Sequence, residues 1–184
     1  ITGIAGSGGA SIPGETQSPD KTALSRQYAT SFERALDNAG TKFSDLSFID
    51  TLSTGTGSQG AAEARALDQL ASSRNKSHTP IPLSCTASIL GNTHGASSLF
   101  SIIKASLSLF HKRLSGGILP GGSRFTKLHG FTTPEASAPW QTSQKKPRRA
   151  AVGSMTLDGA CAHVIMEEYL PEDDRAMANS FPDP

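Results

Sequence analysis

The segment from Gly95 to Phe110, GASSLFSIIKASLSLF, constrains the fold of this chain more than any other. Nearly every side chain in it is small or apolar, and Lys104 is its only charged residue. A helix that is apolar on almost all sides has to be enclosed by protein. Its small residues also allow a neighbouring element to approach its backbone closely. We therefore expect a central helix packed between layers of structure.

Strand-like and helix-like patterns alternate along the rest of the chain. Five segments have the composition of strands, and they are ITGIAGSGGA, FIDTL, IPLSCT, RAAVGSMTL and ACAHVIMEEY. Apolar residues three and four positions apart predict one helix from Thr22 to Gly40 and another around Ala62–Leu70. Asp158-Gly159 favours a tight hairpin between the last two strands. This order predicts an α/β layered fold.

Charge and composition exclude several classes of protein. The 17 Lys+Arg residues balance the 16 Asp+Glu residues to a formal net charge of +1, so long-range attraction to nucleic acid is not expected. No apolar run approaches the roughly 20 residues of a membrane span. Cys85 and Cys161 lie in apolar strand-like segments, and we expect buried free thiols, as in a cytoplasmic protein. His78, His111 and His129 show no metal-ligand spacing, so no metal site is predicted.

Three segments, in chain order, are similar to motifs of one enzyme family. FIDTLSTGT stands where that family has a run ending in Glu-Ala-His-Gly-Thr-Gly-Thr. LSCTASILGN followed by FSIIKASLSL is similar to its strand, Lys-Thr-Asn-Ile-Gly-His turn and buried helix. AAVGSMTLDGACAHVIMEE resembles Gly-Val-Ser-Ser-Phe-Gly-Phe-Gly-Gly-Thr-Asn-Ala-His-Val-Val-Leu-Glu-Glu without a gap. From Ile1 to Tyr169 the chain thus resembles the C-terminal half of a β-ketoacyl synthase of the thiolase-like superfamily.

The resemblance implies a domain organisation. Residues 1–170 would form a ketoacyl-synthase-like C-terminal domain with a thiolase-like layered fold, a mixed sheet and a buried central helix. An N-terminal half that is not in this chain would complete that fold. Residues 171–184, PEDDRAMANSFPDP, are acidic and contain proline. We interpret this last segment as a linker.

The departures from the family fall on its catalytic positions. By resemblance, active synthases use a Cys nucleophile from the N-terminal half and two His residues that polarise the thioester carbonyl and assist decarboxylation of the malonyl unit. Leu52 takes the place of the first His, Asn92 that of the second, and Ala87 that of the family's Lys. Loss of a positioned proton-transfer group typically lowers the rate by about 10²–10⁴-fold. We therefore predict that this chain supplies no catalytic residue.

Two other histidines lie near these motifs. His94 comes two residues after Asn92, and on a helix two residues turn a side chain by about 200°. We interpret His94 as a capping or polar packing residue. His163 stands where the family also has a His on its last strand, and we interpret it as structural.

Two loops correspond, by resemblance, to loops of the family's acyl site. Thr54, Gly55 and Thr56 retain the turn between strand and helix that forms the active-site loop of the family. Met155, Thr156 and Leu157 replace the residues of the hairpin turn that gates the acyl pocket in active synthases. Met155 and Leu157 are either lining residues of an acyl tunnel or plain core residues.

A synthase-like fold without its catalytic set resembles a chain-length factor. Such a domain would pair with a catalytic ketosynthase as a pseudo-dimer and shape the acyl tunnel in a fatty acid or polyketide synthase, with the polyunsaturated fatty acid type as our first hypothesis. It would bind no cofactor itself and would receive the acyl chain on the phosphopantetheine of acyl carrier protein. Two alternatives stay open, namely an active β-ketoacyl-ACP synthase that condenses acyl and malonyl thioesters, and a purely structural thiolase-like scaffold.

Overall fold

The fold comes from a computed structural model that describes residues 2–10, 21–52, 57–72, 79–91, 93–117, 123–142, 146–156 and 159–170. The strands are β1 Thr2–Ala10, β2 Phe48–Thr51, β3 Ile81–Cys85, β4 Arg113–Leu114, β5 Phe131–Thr132, β6 Ala138–Pro139, β7 Arg149–Met155 and β8 Cys161–Glu168. The helices are α1 Lys21–Asn38, α2 Gly57–Ser72, α3 Ala87–Leu90 and α4 Ser97–His111. The α/β alternation predicted from the sequence is confirmed.

A mixed sheet of six strands, in the order β1-β8-β7-β2-β3-β5, organises the chain. β2 pairs in parallel with β3 on one side and with β7 on the other, and β5 adds in parallel to β3. β8 pairs antiparallel with both β7 and β1. β4 and β6 form a separate two-stranded pair. The three two-residue strands β4, β5 and β6 lie in segments where the sequence carries no strand pattern.

The register of the central strands aligns their carboxyl ends. Thr51 pairs with Cys85 across β2 and β3, and Asp50 pairs with Val152 across β2 and β7. Because these three strands are parallel, the segments that follow them leave from one edge of the sheet. That edge is where open α/β folds place ligand and catalytic groups.

Helices cover the two faces of the sheet and produce two hydrophobic clusters. Neighbouring residues of β2 point to opposite faces, as the pleat of a strand requires. Ile49 joins the larger cluster, which α1 and α2 form with the sheet, and Phe48 joins the smaller cluster beneath α4. All four residues of β2 are buried, so this strand is the centre of the fold.

The outward face of α4 is apolar and exposed. Ala105 and Leu109 pack against the sheet, so one side of this helix is buried, as expected. The opposite side, together with α3, carries seven large apolar side chains that are 40 to 69% exposed. We call this surface the α3–α4 apolar face, and it consists of Ile89, Leu90, Leu99, Phe100, Ile103, Leu107 and Phe110. A contiguous apolar surface of this kind marks a protein or ligand contact.

His163 connects β8 to α1 inside the larger core. Its ring is 1% exposed and packs edge-on against Tyr28, with ring centroids 4.4 Å apart. The Ser31 hydroxyl lies 3.1 Å from the Tyr28 carbonyl oxygen, to which it donates, and 2.5 Å from Nδ1 of His163. Burial lowers the pKa of His163 to about 3, which agrees with its interpretation as a structural residue.

Substitution of Gly8 tests the packing of β1 on α1. A Cβ at Gly8 would lie 2.5 Å from the backbone nitrogen of Ala35 and 2.6 Å from the Ser31 carbonyl oxygen, whereas a Cβ at Gly9 meets nothing closer than 3.7 Å. We expect Gly8→Ala to lower the free energy of unfolding by about 1–3 kcal/mol, because helix backbone has to move. The matched variant Gly9→Ala should change it by less than about 0.5 kcal/mol. Urea denaturation of the complete domain, in which this chain is joined to an N-terminal half, measures both, and equal effects would contradict this packing.

The buried His163 predicts an acid-sensitive fold. Its folded-state pKa of about 3 lies below the ordinary value of 6.5, so between these pH values the unfolded chain binds a proton that the folded chain does not. The stabilisation is complete above the upper value and is lost as the pH falls toward the lower one, by up to about 1.4 kcal/mol per pH unit. His163→Gln should flatten this dependence in urea denaturation of the complete domain at several pH values. Parallel curves for the wild type and the variant would contradict it.

Candidate functional site

Leu52 is the first residue beyond β2 at the carboxyl edge of the sheet. Its side chain is partly buried and packs against the larger hydrophobic cluster. Its backbone N–H donates to Oε1 of Glu63 at 2.9 Å. A leucine side chain offers neither a proton nor a lone pair, so the polar contact at this position comes from the backbone alone.

Glu63 is a buried carboxyl group that sequence reasoning missed. It lies on α2, is 1% exposed, and also accepts the hydroxyl hydrogen of Tyr28 at 2.8 Å. Burial, and then the charge of Glu63, raise the pKa of Tyr28 well above its ordinary value, so Tyr28 remains a donor. A signal for Glu63 exists in the sequence, because it shares the helix face of the apolar Leu67 and Leu70.

A buried ion pair lies next to this position. Lys104 Nζ is 2.8 Å from Asp50 Oδ1 and donates to Ser84 Oγ at 2.6 Å, while Thr86 donates to Asp50 Oδ2 at 2.6 Å. The side chain of Asp50 is fully buried and that of Lys104 is 12% exposed. Removal of one partner of such a pair typically costs about 3–5 kcal/mol. The ammonium of Lys104 is therefore engaged in a structural pair that joins α4 to β2 and β3.

The segment that carries the predicted second His position follows β3. Ala87 begins α3, is partly buried and has no group that can replace an ammonium. Gly91 ends the helix with a φ of 77°, a conformation that favours glycine. Asn92 lies outside the described residues. His94 begins a short 3₁₀ turn, His94–Ala96, and its side chain also lies outside the description.

The end of β7 at the hairpin and the start of α2 are in contact. Thr156 is exposed, its N–H donates to the Ala160 carbonyl at 2.9 Å, and its carbonyl accepts from the Gln59 side chain at 3.5 Å. Met155 is 8% exposed and belongs to the larger hydrophobic cluster, so its tunnel role stays a prediction. In addition to Asn92, four predicted residues of the two loops lie outside the described residues: Thr54, Gly55, Thr56 and Leu157.

The thiols and carboxyl groups of the described chain are the side chains that could act as nucleophiles or metal ligands. Cys85 and Cys161 are both free and buried. Burial, followed by the charge of Glu63, raises the pKa of both thiols, that of Cys161 to about 12. They are therefore protonated near neutral pH and lack the character of a nucleophile. Within the described residues, no group of three or more His, Cys, Asp or Glu could hold a metal ion.

A groove of about 450 Å³ runs along the α3–α4 apolar face. Its lining is mostly apolar and includes Ile89, Ile103 and Leu107, with Thr86 and Lys104 among its polar members. Lys104 is paired with Asp50, and Arg113 adds a second cationic side chain to the lining of this groove. Among the helices of the described chain, none is long and apolar enough to cross a membrane.

Comparisons with known proteins agree with this geometry. The chain is 29% identical over 170 residues to the hybrid PKS-NRPS synthetase pvhA of Talaromyces variabilis, a match that covers 87% of this chain and 4% of that protein. It is 30% identical over 149 residues to the erythronolide synthase EryA3 of Saccharopolyspora erythraea, covering 77% of this chain and 4% of that protein. The chain thus spans a small part of these multidomain relatives.

Solved ketosynthase structures share the fold. The ketosynthase from module 6 of the bacillaene synthase of Bacillus subtilis superposes with a TM-score of 0.75 at 25% identity, over 92% of this chain and 32% of that chain. Ketosynthase twelve of the bacillaene polyketide synthase of Bacillus amyloliquefaciens gives a TM-score of 0.77 at 22% identity, over 91% and 30%. The thiolase-like fold implied by the sequence resemblance is confirmed.

The family assignment follows from the match of residues 4–117 to "Beta-ketoacyl synthase, C-terminal domain". That match contains the end of β2, the start of α3 and the whole of α4, the elements on which the candidate site is built. The sequence resemblance stated above is therefore confirmed at the level of the family. The chain belongs to the β-ketoacyl synthase family, and its residues form the C-terminal domain of such a synthase.

Proposed function

We propose that the chain is part of a non-catalytic ketosynthase-like domain, a chain-length factor, in a polyketide or fatty acid synthase. The observation that carries this proposal is the environment of Leu52. Its side chain packs on the hydrophobic cluster, and its N–H is bound to Glu63. Condensation needs a group at this position that polarises a carbonyl or transfers a proton, and leucine supplies neither. By resemblance the family has a Lys at the position of Ala87, so a charged side chain is also missing there.

The named relatives favour a polyketide host. The relative pvhA is named as a hybrid PKS-NRPS synthetase, so we place this domain in a polyketide synthase ahead of one for polyunsaturated fatty acids. The acyl chain would arrive on the phosphopantetheine arm of acyl carrier protein, and a catalytic ketosynthase would be the pseudo-dimer partner. Residues 171–184, which lie outside the described residues, would link the domain to the next one.

One observation favours a second candidate. Met155 is 8% exposed and packs within the core, as expected of a residue without contact to an acyl chain. A purely structural thiolase-like scaffold, which assembles with the ketosynthase but does not influence product length, is therefore the runner-up. The length of the products made by a reconstituted synthase separates the two functions.

We propose that the α3–α4 apolar face is covered by the N-terminal half of the same domain. The chain covers only 30 to 32% of the solved ketosynthases whose fold it shares, so most of such a domain lies elsewhere. Burial of one large apolar side chain contributes about 1.5–3 kcal/mol. Seven such side chains, Leu107 and Phe110 among them, give this face enough area to hold two halves together.

Turnover assays of the complete ketosynthase-like domain test the absence of catalysis. With malonyl and acyl groups on acyl carrier protein, we expect carbon dioxide release at the background rate, because the carbonyl-polarising groups are missing. The catalytic partner ketosynthase is the positive control. Replacement of its first active-site His by Leu should lower its rate by about 10²–10⁴-fold. Robust decarboxylation or acyl transfer by the wild-type domain would favour the active synthase instead.

Expression of the chain with and without its N-terminal half tests the covered face. Alone, the chain should aggregate, and with the preceding half it should be monodisperse in size-exclusion chromatography. Ile103→Lys should reduce aggregation of the chain alone and abolish its assembly with the other half. Thr132→Lys, at an exposed position outside this face, is the matched control and should leave both unchanged. A monodisperse, cooperatively melting wild-type chain would contradict this assignment.

A further inference from the structure

The groove along the α3–α4 apolar face is polar at the end where α4 stops. His111 is the last residue of α4, and Arg113, Ser115 and Ser137 complete this part of the lining. Lys104 lies about two helical turns before His111, about 10 Å along the helix axis, so it belongs to another part of the groove. Among the described residues that line the groove, none is an aspartate or glutamate. This end therefore offers positive charge and hydrogen-bond donors without a carboxylate to balance them.

Arg113 is the unbalanced charge at this end. Its side chain is exposed, and its Nη2 donates to the Ser137 carbonyl at 3.5 Å. It forms no ion pair with any carboxylate of the described residues, whereas Lys104 is paired with Asp50. A guanidinium presents its N–H donors in a fork that fits a carboxylate. When a partner covers the groove, this group loses water, and an unpaired charge there would be costly.

The hydroxyl of Ser115 also lacks a partner. Its Oγ is shielded from solvent and forms no hydrogen bond within the part of the chain that the structure describes. Native proteins rarely leave a buried hydroxyl unpaired, because such a group has lost its hydrogen bonds to water. A carboxylate oxygen accepts a hydrogen bond from a hydroxyl. Ser115 therefore points to the same partner chemistry as Arg113.

The backbone presents both groups in fixed positions. β4, which carries Arg113, pairs antiparallel with β6. Leu114, between the two groups, is buried in the smaller hydrophobic cluster. A Cβ at Gly116 would lie 2.6 Å from the carbonyl carbon of Ala136, so the chain after Ser115 packs directly against another segment. Because Leu114 and Gly116 are both held, the two donors have little freedom to turn away from the groove.

We propose that an aspartate or glutamate of the N-terminal half of the same domain binds Arg113 and Ser115 at this end of the groove. Its carboxylate accepts hydrogen bonds from the guanidinium and from the Ser115 hydroxyl. The inference rests on the proposed covering of the α3–α4 apolar face and adds the chemistry of one contact. Apolar side chains such as Ile103 and Leu107 supply the area of the interface, and the charged contact fixes its register.

Carbodiimide cross-linking of the complete ketosynthase-like domain tests the proposal. Arg113→Lys introduces a primary amine at this end of the groove, and a carbodiimide joins an amine to a carboxylate only when the two are in contact. We expect a cross-link between position 113 and an aspartate or glutamate of the N-terminal half, identified by mass spectrometry of the digested domain. Arg26→Lys is the matched control, at an exposed position of α1, and should give no cross-link to that half.

Urea denaturation of the complete domain is the second measurement. Arg113→Glu should lower the urea midpoint, because two carboxylates then face each other, and Arg26→Glu should lower it much less. Added salt should reduce the loss in Arg113→Glu, since it screens the repulsion. Ser115→Ala should also lower the midpoint. Ser137→Ala, which removes an exposed hydroxyl from the same lining, is its matched control and should leave the midpoint unchanged.

Several results would overturn the proposal. The absence of a cross-link from position 113 to the N-terminal half would do so, and so would a cross-link only to Glu135 of this chain. Equal midpoints for Arg113→Glu and Arg26→Glu would also contradict it. If a variant at position 113 does not fold, Ser115→Ala and its control decide, and equal midpoints for those two would overturn the proposal.

The assembly assay with Ile103→Lys separates this inference from the proposed covering. If Ile103→Lys abolishes assembly of the two halves while position 113 gives no cross-link to the N-terminal half, the face is covered and the carboxylate contact is wrong. If Ile103→Lys leaves assembly intact, the covering itself is wrong, and this inference fails with it.

Discussion

The ion pair between Asp50 and Lys104 is the interaction on which the two layers of this fold depend. β2 is the central strand and is buried on both faces, so a carboxylate on it can be tolerated only with partners. Lys104 and Thr86 supply them from α4 and from the end of β3. Two desolvated charges contribute little net stability, but their separation is expensive. The pair therefore fixes where α4 lies over the sheet, and with it the orientation of the apolar face.

Around the carboxyl edge of the sheet, the polar groups that the structure describes are engaged in contacts within the fold. Glu63 binds a backbone amide and a tyrosine hydroxyl, and both cysteines are protonated because burial raises the pKa of each thiol. Leu52 adds an aliphatic side chain where the family has an imidazole by resemblance. Contacts of this kind fix the end of β2 at Leu52, which suits the proposed role of a domain that shapes a tunnel or supports a partner.

The sequence predicted those helices and strands that have a clear residue pattern of their own. The long apolar periodicity of α1 and the alternating strands β7 and β8 were visible without any tertiary information, and so were the motifs that indicate the family. β5 could not be predicted from the sequence, because its two residues adopt strand structure only by pairing with β3. The contacts of Glu63 with Tyr28 and of Lys104 with Asp50 span 35 and 54 residues. No local sequence pattern predicts contacts between residues so far apart in the chain. A carboxylate on an apolar helix face was, however, a usable sign that Glu63 is buried.

The exposed apolar side of α4 has a consequence for the engineering of assembly lines. α4 has one side on its own sheet and five large apolar side chains facing outward, beside two more on α3, so under the proposed covering it would contribute to the stability of both halves of the domain. Chimeric synthases that exchange only one of these halves would place unrelated side chains against Leu107 and Phe110. Recombination boundaries therefore belong outside the complete domain.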